Sequence, residues 1–372
     1  MKIKLEWKNS IPSHIYQNFI DVFDNKKTEH VIKNVFTELY LLSINNTYFF
    51  PITINDIELE NSFVCSPYTA YALYSKDELK AKIPNRIINI PILTIIKIIG
   101  RLLKLGNIDR NIHVNNFLLS TNPYPDWNGE GIKELIDFLT KNFPKHAIIF
   151  RSLNEYQHTN LLDKLENADF QKIGSRQVYI YDQPYPEWLN HKNNKRDIQL
   201  IKKNKLTFIN HDEMKPFLKQ ALSFYNDLYL KKYSTYNPQF TLDYFQRCYE
   251  KKVMVFQGYK DDQNKLKTFI GLFIIGNTIT SPLVGYDRND PLEKGLYRHA
   301  INLIFNYKFK HNLVLNLSSG ASEFKRLRGG LPSIEYSMIY MKHLTFKRRF
   351  TWKVLQIFSN KIGVPLIKKY EL

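Results

Sequence analysis

The sequence predicts an α/β protein made of two similar units in tandem, each with a mixed, twisted central sheet flanked by helices. Three observations predict it. The 372 residues are too many for one typical core and suit two. Apolar residues make up 44% and aromatics 14%, more than a disordered chain carries. The order strand, loop, helix, strand, helix, strand also occurs twice along the chain.

In the first half, Thr47–Asn55 and Asn115–Thr121 read as strands. Asn122–Trp127 is a loop rich in Pro, Asp and Asn. Gly129–Thr140 has helical periodicity through Ile132, Leu135, Ile136 and Leu139. Ala147–Arg151 is a short apolar strand, Asn160–Ala168 a helix and Gln177–Tyr181 a closing strand. The second half opens with helices at His211–Lys232 and Asn237–Glu250. Val253–Gln257 and Lys267–Ile275 form a hairpin through the polar turn Lys260–Asn264, and Thr278–Gly285 continues the sheet. Arg288–Gly295 is a polar loop, Leu296–Phe309 a helix, Leu313–Leu317 a strand and Tyr336–Met341 the last strand. Lys192–Lys205 is strongly polar and basic, which places a boundary between Asp182 and His211. The division is therefore 1–190, 191–340 and a basic tail, 341–372.

Composition narrows the function classes. The net charge is +18, which attracts polyanions such as tRNA, an acidic carrier protein or anionic lipid. Cys65 and Cys248 are the only cysteines, which excludes a disulfide scaffold and a Cys-rich zinc fold. His146 and His158 stand alone, so no metal is expected. The opening MKIKLEWKNS leads into no apolar stretch, so a cytoplasmic location is expected.

Ile83–Leu105 is the most apolar stretch. Pro84 and Pro91 divide it, and Arg86, Lys97, Arg101 and Lys104 charge it, against a spanning helix. Thr94, Lys97, Arg101 and Lys104 share one helical face. Eight basic residues between Met341 and Tyr370, with Trp352, Leu355 and Phe358 among them, read as an amphipathic helix. It would dock on its own domain, on anionic membrane or on nucleic acid.

The segment LNLSSGASEFKRLRGGLPSIEY, within Asn289–Tyr340, resembles the C-terminal half of GNAT N-acetyltransferase domains. It is most similar to the tandem-domain branch related to the FemABX aminoacyltransferases. The resemblance implies N-acyl transfer from acyl-CoA or another acyl or aminoacyl carrier to an amine acceptor. It implies a donor arm between two splayed strands and backbone amides on the pyrophosphate. Of the signature Gln/Arg-x-x-Gly-x-Gly/Ala, Asp290-x-x-Glu293-x-Gly295 keeps only Gly295. Asp126-x-x-Gly129-x-Gly131 keeps more of it in the first half. That departure disfavours acetyl-CoA and leaves an acyl carrier protein or aminoacyl-tRNA as donor.

By the same resemblance, Gly295, Ser318, Ser319, Gly320, Phe324 and Lys325 line or support the donor site. Asp287 is the candidate base or amine-binding carboxylate, or else an Asx turn before Pro291. Tyr336 is the candidate proton donor to the leaving group. A competing reading is a non-catalytic binding protein that keeps the fold. It would hold nucleic acid or anionic membrane through Lys192–Lys205 and the tail, with Tyr179, Tyr181, Tyr185 and Trp188 available for stacking.

Overall fold

The structure is a computed structural model that describes residues 3–6, 15–24, 26–57, 61–82 and 86–371. Pro84 and Leu372, both used in the sequence reading, lie outside them. Twelve strands are described. They are β1 (Ile3–Glu6), β2 (Glu38–Ile44), β3 (Tyr48–Asn55), β4 (Asn111–Val114), β5 (Ala147–Asn154) and β6 (Gln171–Tyr181) in the first half. The second half has β7 (Thr207–Ile209), β8 (Val255–Lys260), β9 (Leu266–Ile275), β10 (Thr278–Tyr286), β11 (Val314–Asn316) and β12 (Leu331–Tyr340).

The expected mixed sheet flanked by helices is present in both halves. The halves do not own separate sheets, however. All twelve strands join in one, in the order β1-β2-β3-β4-β5-β12-β6-β11-β10-β9-β8-β7. The cause lies in β6. Its eleven residues present two long edges of unpaired backbone groups, and such edges must be paired when buried. One edge takes β12 along Leu331–Ile339, and the end of the other takes β11 at Tyr181 and Ile180. β12, assigned by the sequence reading to the second half, therefore lies inside the first half, between β5 and β6.

Two neighbouring pairs are parallel, β4 with β5 and β10 with β11. The first keeps four residue pairs in register, Asn111↔Ala147 through Val114↔Phe150. The second keeps two, Thr278↔Val314 and Ile279↔Leu315, before an irregularity between Thr280 and Leu283 in β10.

Asn115–Thr121 is not the expected strand, which comes earlier, at β4. Asn115 and Leu118 have positive φ, which breaks extension. Asn116 holds the turn by donating from Nδ2 to Thr53 Oγ1 at 2.9 Å and to the Val64 carbonyl at 3.0 Å. Phe117, Leu118 and Leu119 are buried by it.

Helices cover both faces. Ile132–Asn142 and Thr159–Asn167 cover one face of the first half through Leu135, Leu139, Leu161 and Leu165. The other face carries Arg86–Leu105 and the tail helices Phe346–Phe358 and Val364–Tyr370. In the second half, Leu296–Lys310 packs on β9 and β10 through Ala300, Ile301 and Ile304. A further cluster joins the halves. It combines Phe19, Phe23 and Phe117 with Phe224, Phe245, Phe269 and Phe273.

The basic segment Lys192–Lys205 is not a free linker. Lys192–Lys203 is a helix, and its buried Asp197 accepts from Arg328 Nε at 2.6 Å and Nη2 at 3.0 Å. Tyr179, Tyr181 and Trp188 are core residues, so of the four proposed stacking aromatics only Tyr185 is exposed. The tail docks on its own chain. Trp352 and Leu355 are buried, and Arg348 donates to the carbonyls of Gly106, Asn107, Arg110 and Lys145. The helix Arg86–Leu105 runs through Pro91. Among the described residues, no helix is long and apolar enough to cross a membrane.

Candidate functional site

Two openings follow from the two parallel pairs, because each pair separates after a short register. The second lies where the sequence reading expects the donor. Past Asn316 the chain turns through Ser318, Gly320 and Ala321, all with positive φ. Nothing lies within 4 Å of where a Gly320 side chain would begin, so the loop faces open space there.

Lys325 organises this loop. It sits in the short helix Ser322–Arg326 and is 3% exposed. Its Nζ donates to the carbonyls of Leu317 (2.7 Å), Ser318 (3.2 Å) and Ser319 (2.7 Å). The ammonium thus points into the protein and holds the turn. Phe324 packs against Tyr297, ring centroids 4.9 Å apart, and under the Arg328 guanidinium at 3.4 Å. The structure brings Ser318, Ser319, Gly320, Phe324 and Lys325 into one place.

It leaves the other predicted residues apart from them. Gly295 has φ +59° and starts the helix Leu296–Lys310. A side chain there would meet Leu200 at 2.5 Å, and Asn204 Nδ2 donates to the neighbouring Lys294 carbonyl at 2.7 Å. The end of the helix Lys192–Lys203 therefore lies over the helix start that the resemblance assigns to phosphate. Asp287 is held by Lys267 Nζ at 2.8 Å and accepts from the Asn289 amide at 3.1 Å, which is an Asx turn. Lys267 also holds Asp290 at 2.6 Å. Tyr336 lies on β12, with Lys172 Nζ 4.4 Å from its ring centre. Burial raises its pKa to about 12, with Glu155 adding to the rise. β11 and β6 stand between the strands of Asp287 and Tyr336, so the two do not form one site.

The first opening leads to a cleft the sequence reading missed. It encloses about 670 Å³, part of it open to solvent. Its floor is the sheet: His113 on β4, Arg151 on β5, Ser175 and Arg176 on β6, Glu335 and Ser337 on β12. Tyr71, Tyr74, Ser75 and Glu78 roof it. Glu335 is 2% exposed and accepts from Arg176 Nε at 2.9 Å and Nη2 at 3.2 Å. Arg151 donates to the carbonyls of Val64 (2.6 Å) and Ser120 (3.2 Å).

His113 completes the floor. Its Nδ1 is buried and has no hydrogen-bond partner. Burial, and then the charge of Arg151, hold its pKa well below the usual value, so the imidazole is neutral at pH 7. A neutral imidazole can take a proton.

The two openings meet. Arg176 Nη2 donates to Thr121 Oγ1 at 2.8 Å, Thr121 Oγ1 donates to Ser318 Oγ at 3.0 Å, and Arg176 Nη1 reaches Ser319 Oγ at 3.5 Å. Wide π-helical turns adjoin the cleft. Tyr71 and Tyr74 come from Thr69–Tyr74, and Ser234, just after the turn Asn226–Tyr233, donates to Asp77 at 2.8 Å. Such turns often mark functional sites. They were invisible to a 3.6-residue pattern. Among the described residues, no group of three or more His, Cys, Asp or Glu side chains could hold a metal.

No family model matches the chain, and no curated protein sequence matches it. Solved structures similar to it include FemX, at 13% identity over 62% of this chain and 80% of that one, with a TM-score of 0.45. L-PGS from Bacillus licheniformis is similar at 13% identity, over 61% and 77%, with a TM-score of 0.42. A tandem GNAT protein from the clavulanic acid biosynthesis pathway is similar at 10% identity, over 62% and 74%, with a TM-score of 0.37. These neighbours include the tandem GNAT and FemABX-like folds that the sequence resembles.

Proposed function

We propose that the protein is an N-acyltransferase, moving an acyl or aminoacyl group from a thioester or ester carrier to an amine. The observation that carries this reading is the early opening of β10 from β11, beside an open glycine turn that touches a polar cleft. A carrier arm enters between β10 and β11. Ser318, Ser319 and Gly320 line its end, and Phe324 and Lys325 support them. Residues 1–190 and 191–340 are then two GNAT-like units that share a sheet, and 341–372 is a docked tail.

The acceptor occupies the cleft above β5 and β12. Its amine must be neutral to attack the carbonyl carbon. His113 receives the amine proton as the C–N bond forms, and the C–S or C–O bond then breaks. The leaving sulfur or oxygen takes that proton from His113, so charge is balanced without an enzyme-bound intermediate. Backbone amides of the turn after Ser318 polarise the carbonyl. Glu335 and Arg176 keep this wall in place.

The covered Gly295 cradle leaves little hold for free CoA. An acyl carrier protein or aminoacyl-tRNA fits better, with contacts to the basic surface. Turnover of acyl-thioesters and aminoacyl esters with a panel of amines tests the reading. His113→Gln should lower kcat at least a hundredfold with little change in KM for the donor. A panel with no turnover on any carrier overturns it.

Peripheral contact with anionic membrane belongs to the same proposal. Helices Arg86–Leu105 and Phe346–Phe358 cover one face of the sheet, so their outer sides look away from it together. Those sides expose Ile98 (60%), Leu105 (64%) and Phe346 (76%) beside Lys97, Arg101, Lys347 and Arg349. Basic fringes around protruding apolar groups suit an anionic bilayer. Sedimentation with phosphatidylglycerol vesicles, but not phosphatidylcholine vesicles, is expected. Equal recovery with both would remove this part.

A further inference from the structure

The polar cleft does not end at Arg176. A second cavity, enclosing about 650 Å³ and partly open to solvent, shares Tyr71, Ser75, Glu78, Ser175 and Arg176 with it. The walls change character along the way. Beyond Arg176 they are Leu79, Ile92, Ile96, Leu355, Phe358 and Ile367. The groove thus runs from an ion-bearing floor to an apolar channel between the helix Arg86–Leu105 and the tail helices.

We propose that this groove binds a single long alkyl chain, with a primary amine at its head beside His113 and Ser175. The proposal deepens the reading above, since it names the acceptor class, and it rests on that reading for the amine's role. The apolar walls match methylene groups, which gain by leaving water. Charge complementarity selects the head. The polar end already balances the guanidiniums of Arg151 and Arg176 against the carboxylates of Glu335 and Glu78. An amine that leaves its ammonium proton in solvent adds no buried charge, and it lies beside the His113 ring in the floor of the cleft. A carboxylate head would add a negative charge facing Glu335.

The shape of the groove depends on the tail. The π-helical turn Ser359–Gly363 brings Ser359 and Gly363 into its wall, and Ser359 Oγ donates to the Gly174 carbonyl at the edge of β6. The basic tail therefore builds the site instead of hanging free.

Calorimetric titration with n-alkylamines from butylamine to decylamine, below their micelle concentrations, tests the proposal. Affinity should rise about fourfold per added methylene until the channel is full. Decanoate should bind at least tenfold more weakly than decylamine. Ile92→Trp and Leu366→Trp each narrow the channel from a partly exposed position, so one folding failure does not end the test. Each should cut decylamine affinity more than tenfold and leave butylamine unchanged. No rise with chain length, or an unchanged decylamine affinity in both variants, overturns the groove assignment. Equal binding of decanoate overturns the amine head. Turnover with short amines that cannot reach the channel reads the acyl-transfer proposal separately.

Discussion

The two parallel pairs open in the same way but are filled differently. After β4 and β5 part, Asn115–Thr121 folds into the gap and buries Phe117, Leu118 and Leu119, leaving a polar cleft beside β5 and β12. After β10 and β11 part, a four-residue turn swings aside and Lys325 clasps its carbonyls, leaving open space at Gly320. The lesson is that strand order alone does not fix a site. What occupies the gap decides whether it leaves a polar cleft or an open turn. The charges differ as well. The floor of the first opening carries the Arg176–Glu335 pair, Arg151 and the neutral His113, whereas at the second Lys325 holds backbone carbonyls.

The sharpest way to break this comparison is to remove the ion pair where the openings meet. Glu335→Gln leaves the Arg176 guanidinium buried without its carboxylate. A loss of ~3–5 kcal/mol of stability is expected in urea denaturation. A loss below ~1 kcal/mol would show that water reaches the pair and that the floor is not closed.

Acid titration of buried groups in the first half comes next. Burial lowers the His158 pKa from 6.5 to about 4. The unfolded chain then binds the proton more readily, so this contribution is full above pH 6.5 and lost as pH falls toward 4, by ~3 kcal/mol. Asp109 acts in the opposite direction. Burial raises its pKa from 3.8 to about 7, so its contribution falls as pH rises through that window. In Asp109→Asn, stability should therefore drop steeply on acidification, and His158→Gln added to it should make the drop shallower, His113 keeping the rest. An unchanged slope on adding His158→Gln would contradict the burial of His158.

Lys325→Met tests the second opening alone. Three backbone carbonyls lose their shared donor, which should cost ~2–3 kcal/mol. Donor turnover should fall more than acceptor binding, as read by kcat and by acceptor KM. Equal changes in both would mean that the turn is not part of a donor path. The smallest effect is expected at the helix start. Glu293→Gly removes a negative charge from the start of the helix Leu296–Lys310 and should tighten free CoA by a few fold at most, because Leu200 and Asn204 still lie over Gly295. Calorimetry that shows tight wild-type CoA binding would defeat the larger-carrier expectation.

The sequence by itself determined most of the local elements. Periodic apolar residues such as Leu135, Ile136 and Leu139 set the helix Ile132–Asn142, and the polar turn at Lys260–Asn264 set the β8–β9 hairpin. The SSGASEFK stretch marked a special turn, and three of its residues, Ser318, Gly320 and Ala321, have positive φ. These features depend on neighbours a few residues apart, which a sequence displays directly. Only the tertiary structure decided where β12 pairs, and with it the site. Arg176 and Glu335 are 159 residues apart, and their meeting depends on the register of β12 against β6. His113 sits in a four-residue strand too short for a pattern to reveal. Lys325 reads as a donor-site residue, and its ammonium turns inward onto the carbonyls of Leu317, Ser318 and Ser319. Each of these outcomes depends on backbone groups brought together from distant parts of the chain, and local periodicity carries no information about such partners.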